Sequence, residues 1–511
     1  MTLLIKKYDF LFKTTVFFRF FYAREKQRGH VSNLHGRKEY FMSNGMIPTI
    51  IVVLVLYFAA MVVIGWLGRS KASNFEGYLS MGRSAGVLLL MGGAIGGQIG
   101  NGFVVGGAAE GSISGLAGSA YGIACALSTV MVALFLNNFI YNHGYMSMAD
   151  YTRERYHNEI PGTIYDLSTA ISSIGLIAGQ IMAGKALFEA LGLPGNVGAI
   201  AIAVVVLLYS QLSGLWGVFA TSVVQTGVIL VGLVATTIVL FARGAVGDMS
   251  AAIEAGTIAS SSLDMSGLSA AGFAGMMLPL LFGMVTDQPT YQRVNSAKSA
   301  KISRIACYLS CLIMIPLALM PAFIGSYGAY KYGASGNSAF FDVILNELPA
   351  IVCALIIAAV LAAVMSTIDC GLITMSTVLT RDIWQGALKK NPSEAQLKKI
   401  TLVVNIGFMF TSTALALSAS SILGLLNSVY SFLAAACFVP FVGGIIWKKG
   451  NARSAVASSI VGVLTVLISW IPGVVFPFGN IIPASLFPII PSAIAYFLVS
   501  LIPSSEGAVK A

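Results

Sequence analysis

The sequence predicts an all-α integral membrane protein with about thirteen transmembrane helices and an inverted repeat of five helices. Three observations support this prediction. Hydrophobic residues make up 57% of the 511 residues and charged residues only 10%, whereas soluble domains carry about 25% charged residues. Apolar runs of about 20 residues recur along the chain, long enough to cross a hydrocarbon layer of about 30 Å. Two of these runs, five spans apart, are interrupted by glycine or proline.

The apolar runs divide the chain into about thirteen spans, so residues 46–502 are predicted to form one transmembrane domain. Lipid cannot satisfy backbone hydrogen bonds, and each span is therefore predicted to be a helix rather than an open strand. The predicted spans are 47–67, 86–108, 115–139, 162–187, 197–213, 219–242, 269–288, 304–327, 347–378, 401–418, 421–447, 452–474 and 480–501. Residues 503–511 are predicted to be a short cytoplasmic tail.

Lysine and arginine are distributed unevenly between the loops on the two sides of these spans. One set of alternating loops holds 17 of them and the opposite set holds 3. Basic loops stay on the cytoplasmic side, so the orientation is predicted to be N-terminus outside and C-terminus inside, in the inner (plasma) membrane. The net charge of +10 is thus a topology signal. We expect membrane lipid and no nucleic acid as a partner.

Residues 1–45 do not follow this charge rule. They carry nine basic residues, from Lys6 to Lys38, yet they precede a span that starts outside. The sequence favours an extension that is absent from the mature protein, with Met42 or Met46 as the true start. The alternative is a basic amphipathic segment on the membrane surface.

The two interrupted runs are the second and seventh spans. Eight glycines lie between Gly92 and Gly107, and each costs a helix about 1 kcal/mol relative to alanine. The seventh span, 269–288, contains three glycines and Pro279, and proline removes a backbone donor. Interrupted helices at matching positions of two halves are typical of a transporter binding site, and the odd offset predicts that the halves are inverted. The alternative is that the glycines serve only close helix packing.

The centres of the second and ninth spans are predicted to bind sodium near the bilayer midplane. The broken stretch of the second span contains Gly96 and Ile99, and the middle of the ninth span contains Ser366 and Thr367. Carbonyls released by an unwound helix, together with two adjacent hydroxyls, offer the oxygen ligands that sodium prefers. The alternative is that the hydroxyls bond to their own helix one turn back.

Other polar or aromatic residues near these centres are candidate site residues. Gln98 and Asn101 lie in the broken stretch, where buried amides need partners that a solute could provide. Phe103 lies two residues further on and is either a pocket wall or a core residue. Asp369 follows Ser366 by three residues, and a carboxylate within the membrane indicates a coupling or electrostatic role, with structural hydrogen bonding as the alternative.

Six stretches carry a resemblance to a known family. They are FEGYLSMGRSAG at 75–86, the glycine-rich 92–107, ADYTRERY at 149–156, GLWGVFATSVVQ at 214–225, Gln292–Arg293 and AAVMSTIDC at 362–370. Over residues 46–450 the chain resembles the sodium:solute symporter family, which includes sodium/glucose, sodium/proline and high-affinity choline transporters. The last stretch is the most specific, since the family shows paired hydroxyl residues there.

The resemblance implies a fold and a sodium site. The fold is the leucine-transporter type, with an inverted repeat of five helices, in agreement with the count of spans. The implied sodium ligands are the carbonyls of Gly96, Ile99 and Ala363 and the hydroxyls of Ser366 and Thr367.

The same resemblance bears on the solute. It implies that Gln180, in the fourth span, lines the solute pocket. The chain also departs from the family: Ser222 stands where many members have aspartate, and Gln98 where proline transporters have aspartate. Ala94 and Ala183 occupy positions at which choline transporters hold a cation with tryptophans, so a choline site is not expected.

We therefore expect a sodium-coupled symporter that imports a small organic solute by alternating access. Lys185 and the amides near the break favour an amino acid or a small carboxylate, and a sugar or polyol is the alternative. The chain lacks an HExxH pair, a GxSxG elbow and a P-loop, so an enzyme is not expected. A non-transporting sensor of sodium or solute is the remaining alternative. The sequence predicts no oligomeric state.

Overall fold

The computed structural model describes residues 46–68, 81–210, 214–376, 378–380, 384, 393–471, 474 and 482–502. The predicted extension 1–45 and tail 503–511 lie outside these ranges. Within them the chain is helical and has no β-strand, only an isolated bridge between Ala85 and Ala297. The α-helices are Met46–Gly68, Val87–Gln98, Gly107–Ser114, Ala120–Met131, Asn137–His143, Met148–Tyr156, Glu159–Ala190, Gly195–Ser210, Gly214–Ala242, Ala245–Glu254, Ala270–Val285, Gln288–Ser296, Ala300–Tyr332, Ala339–Glu347, Ala350–Ser376, Glu394–Ser418, Ile422–Leu433, Val439–Ile446, Ala452–Ser469 and Ile489–Ser500.

A helix lies at each of the thirteen predicted spans. Among the described residues, eight helices are long and apolar enough to cross a membrane, or nine if a bent pair is counted as one span. The exact number of crossings therefore stays a prediction. Several predicted boundaries differ. Span 347–378 begins only at Ala350, because Ala339–Glu347 forms a separate short helix, span 401–418 begins earlier, at Glu394, and the α-helix in span 480–501 covers only Ile489–Ser500.

The second span is broken at its centre, as its glycines predict. Val87–Gln98 ends where Ile99 leaves helical geometry, with φ −79° and ψ 66°. The chain then continues through a π-helical turn, Gly102–Gly106, into Gly107–Ser114. We call residues 87–114 the broken helix. The broken helix approaches other helices closely at Gly100, where an added Cβ would lie 2.6 Å from the Gln180 side chain.

The seventh span is bent rather than straight. Ala270–Val285 and Gln288–Ser296 meet at an angle of 52°, and Pro279 lies within the first of them. The hydroxyl of Tyr165 donates a hydrogen bond to the carbonyl of Thr286 at the bend, so another helix satisfies this interruption. The paired interruptions predicted five spans apart are both present.

Helix Ala350–Ser376 lies inside the bundle. It packs against Met46–Gly68, Val87–Gln98, Glu159–Ala190 and Gly214–Ala242. Large apolar side chains cover the outer faces of the bundle instead, among them Val231, Leu312 and Phe410, each at least 70% exposed. Exposed apolar surface of this extent is unfavourable in water and suits contact with lipid chains.

Candidate functional site

Two adjacent hydroxyls join helix Ala350–Ser376 to the broken helix. The hydroxyl of Ser366 donates hydrogen bonds to the carbonyl oxygens of Gly96 and Ala363, the latter at 3.1 Å. The hydroxyl of Thr367 lies 3.4 Å from the Gly97 carbonyl oxygen and 3.0 Å from that of Ala363. Each hydroxyl therefore contacts both its own helix and the broken helix. The sodium site itself stays a prediction.

Five oxygen atoms therefore lie where helix Ala350–Ser376 meets the broken helix. They belong to Gly96, Gly97, Ala363, Ser366 and Thr367, and Ser366 is fully buried. We call these atoms the oxygen cluster. An oxygen-only set without a carboxylate matches the ligands that discontinuous helices offer to sodium.

Ile99 differs from the other predicted ligands. It lies at the break and is fully buried, but the hydroxyls of Ser366 and Thr367 bond to Gly96, Gly97 and Ala363 and not to its carbonyl. Sequence reasoning missed Gly97. The signal was present, because Gly97 belongs to the same run of glycines.

The amides of Asn101 and Gln180 meet just beyond the break. The Asn101 backbone N–H donates to Gln180 Oε1 at 2.6 Å, and Asn101 Nδ2 donates to the Gly179 carbonyl oxygen at 2.6 Å. The side-chain oxygen of Asn101 is buried and has no hydrogen-bond partner among the described residues. A buried acceptor without a donor is costly, so this oxygen can accept a hydrogen bond from a ligand.

Gln98 lies on the opposite side of the break. Its Oε1 accepts a hydrogen bond from Ser128 at 3.5 Å. It also lines a narrow cleft with a volume of about 30 Å³, which we call the inner cleft. The helix half Val87–Gln98 enters from a loop that is predicted to be cytoplasmic, so the inner cleft lies on that predicted side. Other residues lining it include Thr129, Thr290, Arg293, Ser303 and Cys307.

Two further candidate residues, Phe103 and Asp369, are both buried. Phe103 is 1% exposed, and its ring is so close to Gly122 that an added Cβ there would lie 3.1 Å from it. Asp369 is 1% exposed and interacts electrostatically with Tyr57. The Tyr57 hydroxyl accepts a hydrogen bond from Gln225 at 3.2 Å. Phe103 thus packs close to Gly122 and its role as a pocket wall stays a prediction, whereas Asp369 interacts with a polar group on the first helix.

The side chain of Lys185, from helix Glu159–Ala190, reaches the C-terminal end of helix Glu394–Ser418. Its Nζ is 3.5 Å from the Leu417 carbonyl oxygen and 3.4 Å from the Ala419 carbonyl oxygen. Helix Glu394–Ser418 ends there, and a cation near such an end stabilises the unpaired carbonyls. This contact explains a lysine near a membrane surface without a ligand.

Solved structures with a similar fold confirm the predicted architecture. A solved structure of a Na⁺-coupled sialic acid symporter, in a substrate-bound outward-open state, matches with a TM-score of 0.75 and 21% identity over 90% of this chain and 99% of that chain. Mhp1, a nucleobase–cation symporter, matches with a TM-score of 0.53 and 14% identity over 82% of this chain and 92% of that one. The protein has the leucine-transporter-type fold predicted from its two interrupted spans.

Curated relatives agree with this class. The sodium/proline symporter of Escherichia coli K12 is 25% identical over 87% of this chain and 94% of its own length. The sodium/myo-inositol cotransporter 2 of Sus scrofa is 26% identical over 84% of this chain and 71% of its own length. The human high affinity choline transporter 1 is 26% identical over 81% and 75%, respectively.

The protein is therefore a membrane-embedded, sodium-coupled solute symporter. The family model described as "Sodium:solute symporter family" matches residues 78–462, and the chain belongs to this family.

Proposed function

We propose that this protein imports a small organic solute together with sodium across the plasma membrane by alternating access. The oxygen cluster is the single observation that most supports the proposal, because it joins a helix from each half of the inverted repeat. The proposed sodium ligands are the oxygen atoms of Gly96, Ala363, Ser366 and Thr367, with Ile99 as the further carbonyl expected from the family.

Sodium would couple the two helices through these oxygens. The hydroxyl protons of Ser366 and Thr367 now point at carbonyl oxygens. A sodium ion bound by the same carbonyl oxygens would also be bound by lone pairs of the two hydroxyl oxygens. Both hydroxyls would therefore rotate so that their protons point away from the ion. Binding would thus hold the broken helix against helix Ala350–Ser376, and release would free it to move.

One sodium ion supplies enough energy for useful accumulation. Moving one charge through about 100 mV is worth about 2.3 kcal/mol, and a tenfold sodium gradient adds about 1.4 kcal/mol. Their sum corresponds to roughly 500-fold accumulation of a neutral solute.

The solute is proposed to bind beside the break, at Gln98, Asn101 and Gln180, with Phe103 as a wall of that region. The open acceptor on Asn101 supports this placement, since it needs a donor such as an ammonium or hydroxyl group. An amino acid or small carboxylate is the first choice. A polyol is the second candidate, because amide groups also bind hydroxyls and one relative is a myo-inositol cotransporter.

The test is the melting temperature of the purified protein in sodium and in potassium at equal ionic strength. A ligand that binds only the folded state raises stability, so we expect a higher melting temperature in sodium. The increase should vanish in Ser366→Ala and persist in Ser173→Ala. Ser173 is a matched control because it is buried and bonds only within its own helix, at 2.9 Å from the Thr169 carbonyl oxygen.

A solute that stabilises the protein only in sodium would identify the substrate and demonstrate coupling. A sodium effect without any solute dependence would favour a sensor. No sodium effect in the unmutated protein would contradict the proposed function.

A further inference from the structure

Arg293 places a positive charge in the inner cleft. It lies on the short helix Gln288–Ser296 after the bend and is only 8% exposed. Of the eleven residues that line the cleft in the described part of the chain, Arg293 alone carries a charge. A buried charge is costly unless it is paired. The inner cleft is therefore an environment that favours an anion.

The partners of Arg293 leave much of its guanidinium unused. Nη1 donates to the Gly93 carbonyl oxygen at 3.2 Å, and Nη2 donates to Thr290 Oγ1 at 3.1 Å. A guanidinium group has five N–H donors in one plane. Two of them are engaged within the described residues, so three remain for a ligand in the cleft.

The nearest carboxylate does not neutralise Arg293 closely. Asp287 Oδ2 lies 4.0 Å from Nη2, which is beyond hydrogen-bond distance. By comparison, the buried Asp166 forms a 2.5 Å ion pair with Arg153 in the same protein. Asp287 therefore lowers the cost of burying Arg293 and leaves it able to bind another anion.

Arg293 also lies directly against the broken helix. An added Cβ at Gly97 would be 3.0 Å from Arg293 Nη1, and Gly97 contributes one oxygen to the oxygen cluster. Gln98, the next residue, lines the same cleft. A solute that leaves the break on this side must pass the guanidinium.

We propose that Arg293 binds the carboxylate group of the solute in the inner cleft, as a release site on the predicted cytoplasmic side. This inference rests on the proposed symport and narrows its substrate class to carboxylates, including amino acids. Planar guanidinium and carboxylate groups form paired charge-assisted hydrogen bonds. The hydroxyl-bearing Thr290 and Ser303 line the same cleft and offer further donors.

Cys307 provides a direct probe of occupancy. It lines the inner cleft and is half-buried, whereas the other five cysteines are buried. The modification of Cys307 by N-ethylmaleimide can be followed by mass spectrometry of its peptide in the full-length protein. A ligand held by Arg293 should slow this modification.

The experiment compares acetate, propionate and lactate with the corresponding neutral amides, all in sodium. We expect at least one carboxylate to protect Cys307 at a concentration about tenfold or more below that of its amide, as for a lost charge-assisted contact. Arg293→Gln should abolish this difference, and Arg293→Lys should keep part of it. Lys301→Gln is the matched control, because it removes an exposed charge near the same end of the bundle and should change nothing.

Equal protection by each carboxylate and its amide, or no protection by any carboxylate, would overturn the inference. A difference that persists unchanged in Arg293→Gln would overturn it as well. The unmutated protein alone can give the first two results, so the test does not depend on the folding of a variant. If sodium still raises the melting temperature, only the role of Arg293 fails; if sodium has no effect, the proposed symport itself fails.

Discussion

The hydroxyl of Ser366 donates a hydrogen bond to the carbonyl oxygen of Gly96, a residue 270 positions earlier in the chain. The two residues belong to opposite halves of the inverted repeat. The carbonyl of Gly96 is available to helix Ala350–Ser376 because its own helix ends two residues later, at Gln98. A regular helix would engage that carbonyl internally. The break therefore creates the acceptor that the second half of the repeat uses.

The neighbouring hydroxyl gives the first prediction. We expect Thr367→Val to raise the sodium concentration that half-saturates stabilisation by about tenfold or more, because it removes one cation ligand at nearly constant volume. Thr374→Val is the control on the same helix, since Thr374 Oγ1 contacts only the Cys370 carbonyl oxygen, at 2.9 Å. Sodium titration of the melting temperature measures the change. Equal effects of the two substitutions would contradict a ligand role for Thr367.

Close packing at the break gives the second prediction. Gly100→Ala would place a Cβ 2.6 Å from Gln180 Oε1 and 2.8 Å from Thr367 Oγ1. Overpacking of this kind costs about 1–3 kcal/mol, so we expect a lower melting temperature and a large loss of sodium-dependent uptake.

Gly227→Ala is the matched control, because an added Cβ there meets nothing within 4 Å. It should leave uptake unchanged and should slightly stabilise the helix. Normal uptake by Gly100→Ala would show that the break tolerates a wider spacing than the structure indicates.

The fold followed from the sequence because its determinants are local and periodic. Apolar length predicts a membrane helix, and the glycines between Gly92 and Gly107 predict the break. The hydroxyl pair Ser366–Thr367 was also readable, since both residues fall at the centre of a span.

The unpredicted features depend on which surfaces meet in three dimensions. The sequence marks Arg293 only as part of the stretch Gln292–Arg293, and the bend after Val285 turns its helix towards the broken helix. The contact of Lys185 with the end of a helix more than 200 residues away has no signature in the sequence. The run of glycines marks the region of Gly97, but it does not show which of the carbonyls in that run faces the other half of the repeat.

A buried carboxylate outside the membrane-spanning helices gives a prediction of pH dependence. Glu347 is 4% exposed and is contacted by Arg243 at 2.5 Å, by Tyr327 at 2.9 Å and by Tyr332. Burial raises the pKa of Glu347, but the hydrogen bonds from the two tyrosines and Arg243 outweigh it, so the pKa lies below its usual 4.5. The unfolded chain then binds the proton more readily than the folded protein does.

The sign of the effect follows from that lowered pKa. Glu347 contributes stability that is fully present above pH about 4.5 and is lost as the pH falls through the folded-state pKa. We expect Glu347→Gln to lower the melting temperature at neutral pH and to flatten its decline in acid. Glu254→Gln is the control, because Glu254 is an exposed carboxylate and its substitution should leave the melting temperature and its decline in acid unchanged. If the melting temperature of Glu347→Gln falls in acid as steeply as that of the unmutated protein, the prediction is contradicted.

The two possible roles of Lys185, stabilising a helix end and attracting the solute, predict different effects of its substitution. Its contacts with the Leu417 and Ala419 carbonyl oxygens predict that Lys185→Met lowers stability by about 0.3–1 kcal/mol, the range for a cation near the end of a helix. Sodium-dependent uptake should keep its KM for every solute, because the ammonium contacts backbone atoms of Leu417 and Ala419. Lys185→Arg should preserve both properties, since a guanidinium group can also donate to carbonyls. Thermal unfolding and uptake kinetics measured on the same preparations decide between the two roles. A KM that rises for carboxylates and not for their amides would instead assign Lys185 to anion attraction on the predicted outer side, and the solute would then meet a cation before the break as well as after it.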